Sequence, residues 1–120
     1  MFDWSEYLAL ARTLRTSSDE AAWRSSISRA YYAAFHAGRR HVTEKWGAKR
    51  LTGRGDDHAL VWDILTGERD ATRQERGTGS AGRRLKVLRT EADYRDAIVR
   101  PQENATMAVG EADRIIALLG

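Results

Sequence analysis

The sequence predicts an all-α protein. Apolar residues recur every three or four positions through the long segments, and no stretch alternates apolar and polar residues as a half-buried strand would. The chain also holds eighteen alanines against one proline, Pro101, which favours helices and leaves few breaks inside them. The expected architecture is an antiparallel up-and-down four-helix bundle with an additional short helix. At 120 residues the chain is the size of one compact core, so residues 1–120 are read as a single domain.

The elements follow in order. Asp3-Trp4-Ser5-Glu6 sets a capping carboxylate three residues before a Glu, and Trp4, Leu8, Ala11 and Leu14 follow at helical spacing, so a first helix is expected from about Trp4 to Arg15. Ser17-Ser18-Asp19-Glu20 opens a second, whose stripe of Trp23, Ile27, Ala30, Tyr31, Ala34, Gly38 and Val42 carries it to about Lys45, ahead of Gly47. Residues 47–55 are basic and hold three glycines, the composition of a connection. Asp56 or Asp57 can cap a short third helix that carries Ala59, Leu60, Val61, Ile64 and Leu65 and stops before Gly67. Residues 67–82 combine Arg69, Arg73 and Arg76 with Gly77, Gly79 and Gly82 and read as a mobile basic loop. A fourth helix is expected over Arg83 to Ile98, built on Leu85, Leu88 and Ala92 with Val87, Tyr94 and Ile98. Pro101 suits a helical first turn and Glu103 favours the positive helix end; the last helix then carries Ala105, Ala108, Ala112, Ile115, Ile116 and Leu119.

Composition narrows the function classes. A hydrophobic fraction of 42% under a charged fraction of 31%, with mean hydropathy −0.59, argues against both disorder and membrane insertion. No apolar run approaches the roughly 18 residues of a spanning helix, and Asp3 and Glu6 interrupt the segment where a signal peptide would be basic and then apolar. A cytoplasmic protein without membrane association is expected. With no cysteine there is neither a disulfide framework nor a thiolate zinc site. His36 and His41, five apart on a helix, point about 140° away from each other, so no metal and no cofactor are expected. Gly77-Thr78-Gly79-Ser80-Ala81-Gly82 matches a dinucleotide-binding spacing but lacks the preceding strand such a site needs. Asn104-Ala105-Thr106 is a glycosylation sequon without meaning outside the secretory route. Seventeen of the twenty basic residues are Arg, and the net charge is +3. Guanidinium groups bind phosphate bidentately and stack on bases, which leans towards nucleic acid or acidic partners; a GC-rich genome produces the same bias without functional demand.

The most unusual stretch is Ser28-Arg29-Ala30-Tyr31-Tyr32-Ala33-Ala34-Phe35-His36-Ala37, because it puts an Arg, two Tyr and a His into the middle of a core-forming helix. Arg29 and His36, seven apart, share one helix face to within about 20° but stand about 10 Å apart along the axis. They line one stripe without touching, and an antiparallel copy across a two-fold axis would bring Arg29 of one subunit towards His36 of the other. Plain structural readings stand beside this one: Arg29 paired with Asp93 as a helix-to-helix salt bridge, His36 as a hydrogen-bonded histidine near the core, Tyr31, Tyr32 and Tyr94 as packing residues, and the arginines as a solvated loop.

This stretch resembles the signature of HEPN-domain proteins, in particular their small stand-alone bacterial and archaeal members. His58, after a basic Gly-rich connection, resembles the family's histidine in that place, and Leu88-Arg89-Thr90-Glu91-Ala92-Asp93-Tyr94 is similar to the family's Arg-x-x-Ala-Asp-Tyr element in the fourth helix. The resemblance covers about Ala22 to Ile98. It implies a helical bundle that forms a homodimer and, in many members, a metal-independent ribonuclease toxin neutralised by a partner nucleotidyltransferase. There, an Arg and a His four to six residues apart near the last conserved helix meet across the dimer in a composite site. This chain departs from that pattern, since no His follows His58. The expectation is therefore an RNA-acting protein, an endoribonuclease toxin or defence component in its sharp form, with Arg29 and His36 as catalytic candidates. Tyr32, Arg89, Asp93 and Tyr94 would be the supporting polar cluster and Arg69, Arg73, Arg76, Arg83 and Arg84 the RNA contacts. The alternative is a non-catalytic module that binds a nucleotide or a cognate nucleotidyltransferase antitoxin, and the role of His58 stays open.

Overall fold

The computed structural model describes residues 1–119, which form five α-helices and one short 3-10 turn, with no strand among the described residues. The helices are α1 (Ser5–Arg15), α2 (Glu20–Trp46), α3 (Asp57–Gly67), α4 (Arg73–Tyr94) and α5 (Pro101–Leu119), and the turn is Ala48–Arg50. The radius of gyration is 14.0 Å, close to the roughly 13.6 Å of a compact chain of this length. No described helix is long and apolar enough to cross a membrane.

α2 is the central element and packs against each of the other four helices. Its stripe buries Ile27, Ala30, Tyr31, Ala34 and Val42, and α5 meets it with Ala105, Ala108, Ala112 and Ile115. Small alanine side chains let two helices approach closely, which is what the Ala-rich composition serves. α1 adds Leu8 and Ala11, and the buried Ser26 hydroxyl donates to the Ala11 carbonyl at 2.7 Å to tie α2 to α1. One contiguous core joins residues of all five helices.

Two stretches differ from expectation. The segment 67–82 is not a loop beyond Thr72: α4 begins at Arg73, ten residues earlier than expected, and ends at Tyr94 rather than Ile98. Thr72 and Glu75 form a complete capping box, with Glu75 N–H donating to Thr72 Oγ1 at 3.0 Å and Thr72 N–H to Glu75 Oε1 at 2.8 Å. The glycines are contact points and not hinges. A Cβ on Gly82 would run into the Trp62 indole, and one on Gly79 would sit 2.6 Å from Thr66 Cγ2. On the opposite side, a Cβ on Gly38 would sit 2.9 Å from Val61 Cγ1 and 3.1 Å from Trp62 Cζ3. The fully buried Trp62 therefore lies in a slot between α2 and α4 that only glycine leaves open.

The caps also differ in detail. Within the expected signature of residues 17–20 it is Asp19 that caps α2, through Ala22 N–H at 2.8 Å, while Asp3 accepts from Ser5 N–H and Oγ instead of forming a box with Glu6. Asp57, buried at the start of α3, turns back to accept from Thr52 N–H, Thr52 Oγ1 and Gly53 N–H at 2.7–2.8 Å. These three bonds outweigh the burial that opposes its charge and lower its pKa, and they set the loop that delivers His58. Gly53 has φ +76°, a conformation that favours glycine.

Candidate functional site

α2, α3 and α4 bring a polar and aromatic cluster together beside the core. From α3, His58 Nδ1 stands 2.9 Å from the Tyr31 hydroxyl, and Trp62 Nε1–H, one turn further on, donates to the same oxygen at 3.2 Å. Phe35 stacks on the His58 ring with centroids 4.0 Å apart, and Tyr32 meets it edge-on at 5.7 Å. Both pairings follow from helical spacing: Tyr31 and Phe35 lie four apart on α2, His58 and Trp62 four apart on α3, so each pair shares a face.

From α4, Arg89 places its guanidinium 5.4 Å from the Tyr31 ring centroid and 5.7 Å from that of Tyr32. Its side chain is 13% exposed, its one ionic contact is Asp93 at 3.6 Å, and its Nε is buried without a partner among the described residues. Asp93 also accepts from Ser28 Oγ at 3.3 Å. Arg29 reaches the cluster from its other edge, 4.9 Å from the Tyr7 centroid and 5.9 Å from that of Tyr32. The two guanidiniums thus flank one half-buried tyrosine ring.

Burial, then Arg89 and Lys86, push the His58 pKa below the usual imidazole range, with Asp57 opposing, so the ring is held neutral. Burial raises Tyr31 to about 12 against the Trp62 hydrogen bond and the Arg89 charge, so the phenol keeps its proton. A partly dehydrated cluster that holds two guanidiniums to one carboxylate, Asp93, is suited to an anion that brings its own oxygen acceptors.

The expected site residues are not all gathered here. Arg89 and Arg29 meet over Tyr32, with Asp93 on Arg89, but Tyr94 is 75% exposed and stands apart. Arg29 forms no salt bridge to Asp93; that carboxylate faces Arg89 and Ser28 instead, since α4 presents both of its residues one turn apart. His36 turns to Trp4, the residue that precedes α1, and stacks on its ring with centroids 3.5 Å apart at 7°. Burial, then Arg39 and His58, lower its pKa to about 4. Within one chain Arg29 and His36 make no contact. Of the arginines expected to meet RNA, Arg76 chelates the Thr66 and Glu68 carbonyls at 2.8 Å and closes the end of α3. Arg83 pairs with Asp63 at 2.6 Å and Arg84 with Glu111 at 3.6 Å. Arg69 and Arg73 are exposed and make no ion pair among the described residues.

Sequence reasoning left His58 without a role and missed Trp62 as the partner of Tyr31. The two four-residue spacings were the available signal, but which faces meet is a tertiary matter. Glu75 was missed as well, although Thr72-x-x-Glu75 is a capping signature: it is buried and bound by Lys45 Nζ at 2.7 Å and by His41 Nε2. Burial works to raise its pKa, yet Lys45, the Thr72 N–H and His41 prevail and hold it at about 2. Among the described residues no three metal-ligating side chains come together. Comparison with family models, with curated proteins and with solved structures found no match in any of the three.

Proposed function

We propose that this protein is a HEPN-type RNA-acting protein, an antiparallel up-and-down bundle working as a homodimer in the cytoplasm, and that the cluster of Arg89 and Arg29 about Tyr32, beside His58, receives the phosphodiester. The observation that carries this reading is the Arg89 guanidinium, drawn into the bundle with an unpartnered Nε and a single long contact to a carboxylate. A cation so placed is short of acceptors, and phosphate oxygens supply them in the fork geometry that guanidinium prefers. The exposed Arg69 and Arg73 provide further backbone contacts. In the sharp form of the reading RNA is cut: the 2′ oxygen bonds to phosphorus, the P–O5′ bond breaks, the leaving O5′ takes a proton from water, and a 2′,3′-cyclic phosphate and a 5′-hydroxyl result. Arg89 and Arg29 would stabilise the charge of the pentavalent state, and Asp93 would take the 2′ proton. As a toxin or defence component it would be held in check by a nucleotidyltransferase-type antitoxin.

The second reading is a module that binds a nucleotide or its nucleotidyltransferase partner without cleavage. One observation favours it: His58 is held neutral, and a neutral imidazole is a poor proton donor to a leaving oxygen. Incubating the protein with total RNA and tRNA in EDTA, beside Arg89→Gln and His58→Gln variants of unchanged far-UV spectrum, separates the outcomes. Cyclic phosphate ends from the wild type alone support the nuclease. Retention of intact RNA by the wild type and not by Arg89→Gln supports binding without chemistry. If the three proteins neither cut nor retain RNA, the RNA reading is refuted.

A further inference from the structure

We infer that Tyr31 and Trp62 are the positioning residues of His58, and that together they hold its imidazole as the Nε2–H tautomer. The inference rests on the site reading above for its purpose, but its geometry stands alone. The Trp62 indole is a donor only, so its bond to the Tyr31 oxygen has one direction. The Tyr31 hydroxyl then has one proton to place, and His58 Nδ1 at 2.9 Å is its only partner besides Trp62 among the described residues. A buried phenol proton seeks an acceptor. If Nδ1 accepts, the neutral ring must carry its proton on Nε2.

Packing makes the arrangement rigid. Tyr31 and Trp62 are both fully buried, the indole is wedged between Gly38 and Gly82, and Phe35 covers one face of the imidazole. No described residue bonds Nε2. His58 is thereby preset to offer an N–H to an anionic oxygen beside Arg89, which makes it a donor to the phosphate and not the base that activates a nucleophile. Tyr at position 31 thus supplies the oxygen that Trp62 and His58 share, which Phe would not.

Histidine-labelled protein at pH 7, with His58 assigned through His58→Gln, shows the tautomer directly in long-range proton–nitrogen spectra. A protonated Nε2 and an unprotonated, hydrogen-bonded Nδ1 are expected; a protonated Nδ1 in the wild type would overturn the inference. In Tyr31→Phe the Nδ1 resonance should move as its donor is lost, and affinity for a fluorescein-labelled mixed-sequence RNA should fall about five- to tenfold, the size of one weakened hydrogen bond. A Tyr31→Phe protein that melts lower but keeps both the Nδ1 resonance and the RNA affinity would reduce Tyr31 to a packing residue. Should the wild type ignore RNA while showing Nε2–H, the RNA reading fails and the positioning role stands.

Discussion

Two glycine-to-alanine changes on one helix should move stability in opposite directions. Gly77 and Gly82 both lie inside α4, and in each case alanine gains about 1 kcal/mol of helix propensity. Nothing lies within 4 Å of a Cβ at Gly77, so that gain is expected in full. At Gly82 the new Cβ lies inside 3.0 Å of three indole atoms of Trp62, and the ring would have to retreat by about 1 Å to reach ordinary contact. It has no room to do so, because the space beside Gly38 is already filled by Trp62 and Val61. Overpacking of this kind costs about 1–3 kcal/mol, and a shifted indole also weakens its bond to Tyr31, at about 1 kcal/mol. Against the propensity gain, Gly82→Ala should lose about 1–3 kcal/mol net. The two variants should then differ by about 2–4 kcal/mol, on the order of 10 °C in Tm for a chain of this size. Urea unfolding followed by far-UV circular dichroism, with unchanged m-values, measures the difference. A Gly82→Ala protein as stable as Gly77→Ala would refute the slot between α2 and α4, and with it the alignment of Trp62, Tyr31 and His58.

Two further predictions concern acid. Glu75 has a folded pKa of about 2 against an ordinary 4.5, so its ionised form contributes about 3 kcal/mol that is present above pH 4.5 and lost as pH falls towards 2. Glu75→Gln should therefore be less stable at pH 7 by about that amount and show a flatter urea midpoint across that window; equal wild-type and variant midpoints at pH 7 would contradict the buried ion pair. His36, lowered from 6.5 to about 4, takes up its proton in the unfolded chain first. Its burial thus costs nothing above pH 6.5 and destabilises the fold increasingly as pH falls from 6.5 to 4. His36→Phe, which keeps a ring against Trp4, should reduce the loss of stability between pH 6.5 and 4, and an unchanged pH slope would count against the stacked, neutral histidine.

The helical stripes were legible because a one-sided apolar pattern has few ways to be satisfied: Ile27, Ala30, Tyr31, Ala34 and Val42 were expected on one face of α2 and are buried there. The start of α4 was misread for a physical reason. Glycines lower helix propensity and raise loop propensity locally, and no local rule reports that Trp62 of another helix needs the space they leave. Tertiary packing therefore overrode the local signal, while the Thr72-to-Glu75 box that marks the true start was hidden within a glycine-rich and arginine-rich segment.

The candidate site divides along the same line. Arg29 and Tyr32 stood out as polar or aromatic groups in the middle of a core-forming helix, which follows from one-dimensional pattern alone, whereas Arg89 and Asp93 stood out only through the resemblance of residues 88–94 to a family element. Their grouping about Tyr32, and the departure of His36 to Trp4 and of Arg76 to the end of α3, depend on how helices distant in sequence are set against one another. By itself the sequence determined the helical class, the buried stripes and most helix starts, since these depend on spacing within about one or two turns. Only the tertiary structure decided which side chain meets the His58 imidazole, because that choice is made by the fit of Trp62 between Gly38 and Gly82 and by the bonds that its indole and Tyr31 then complete.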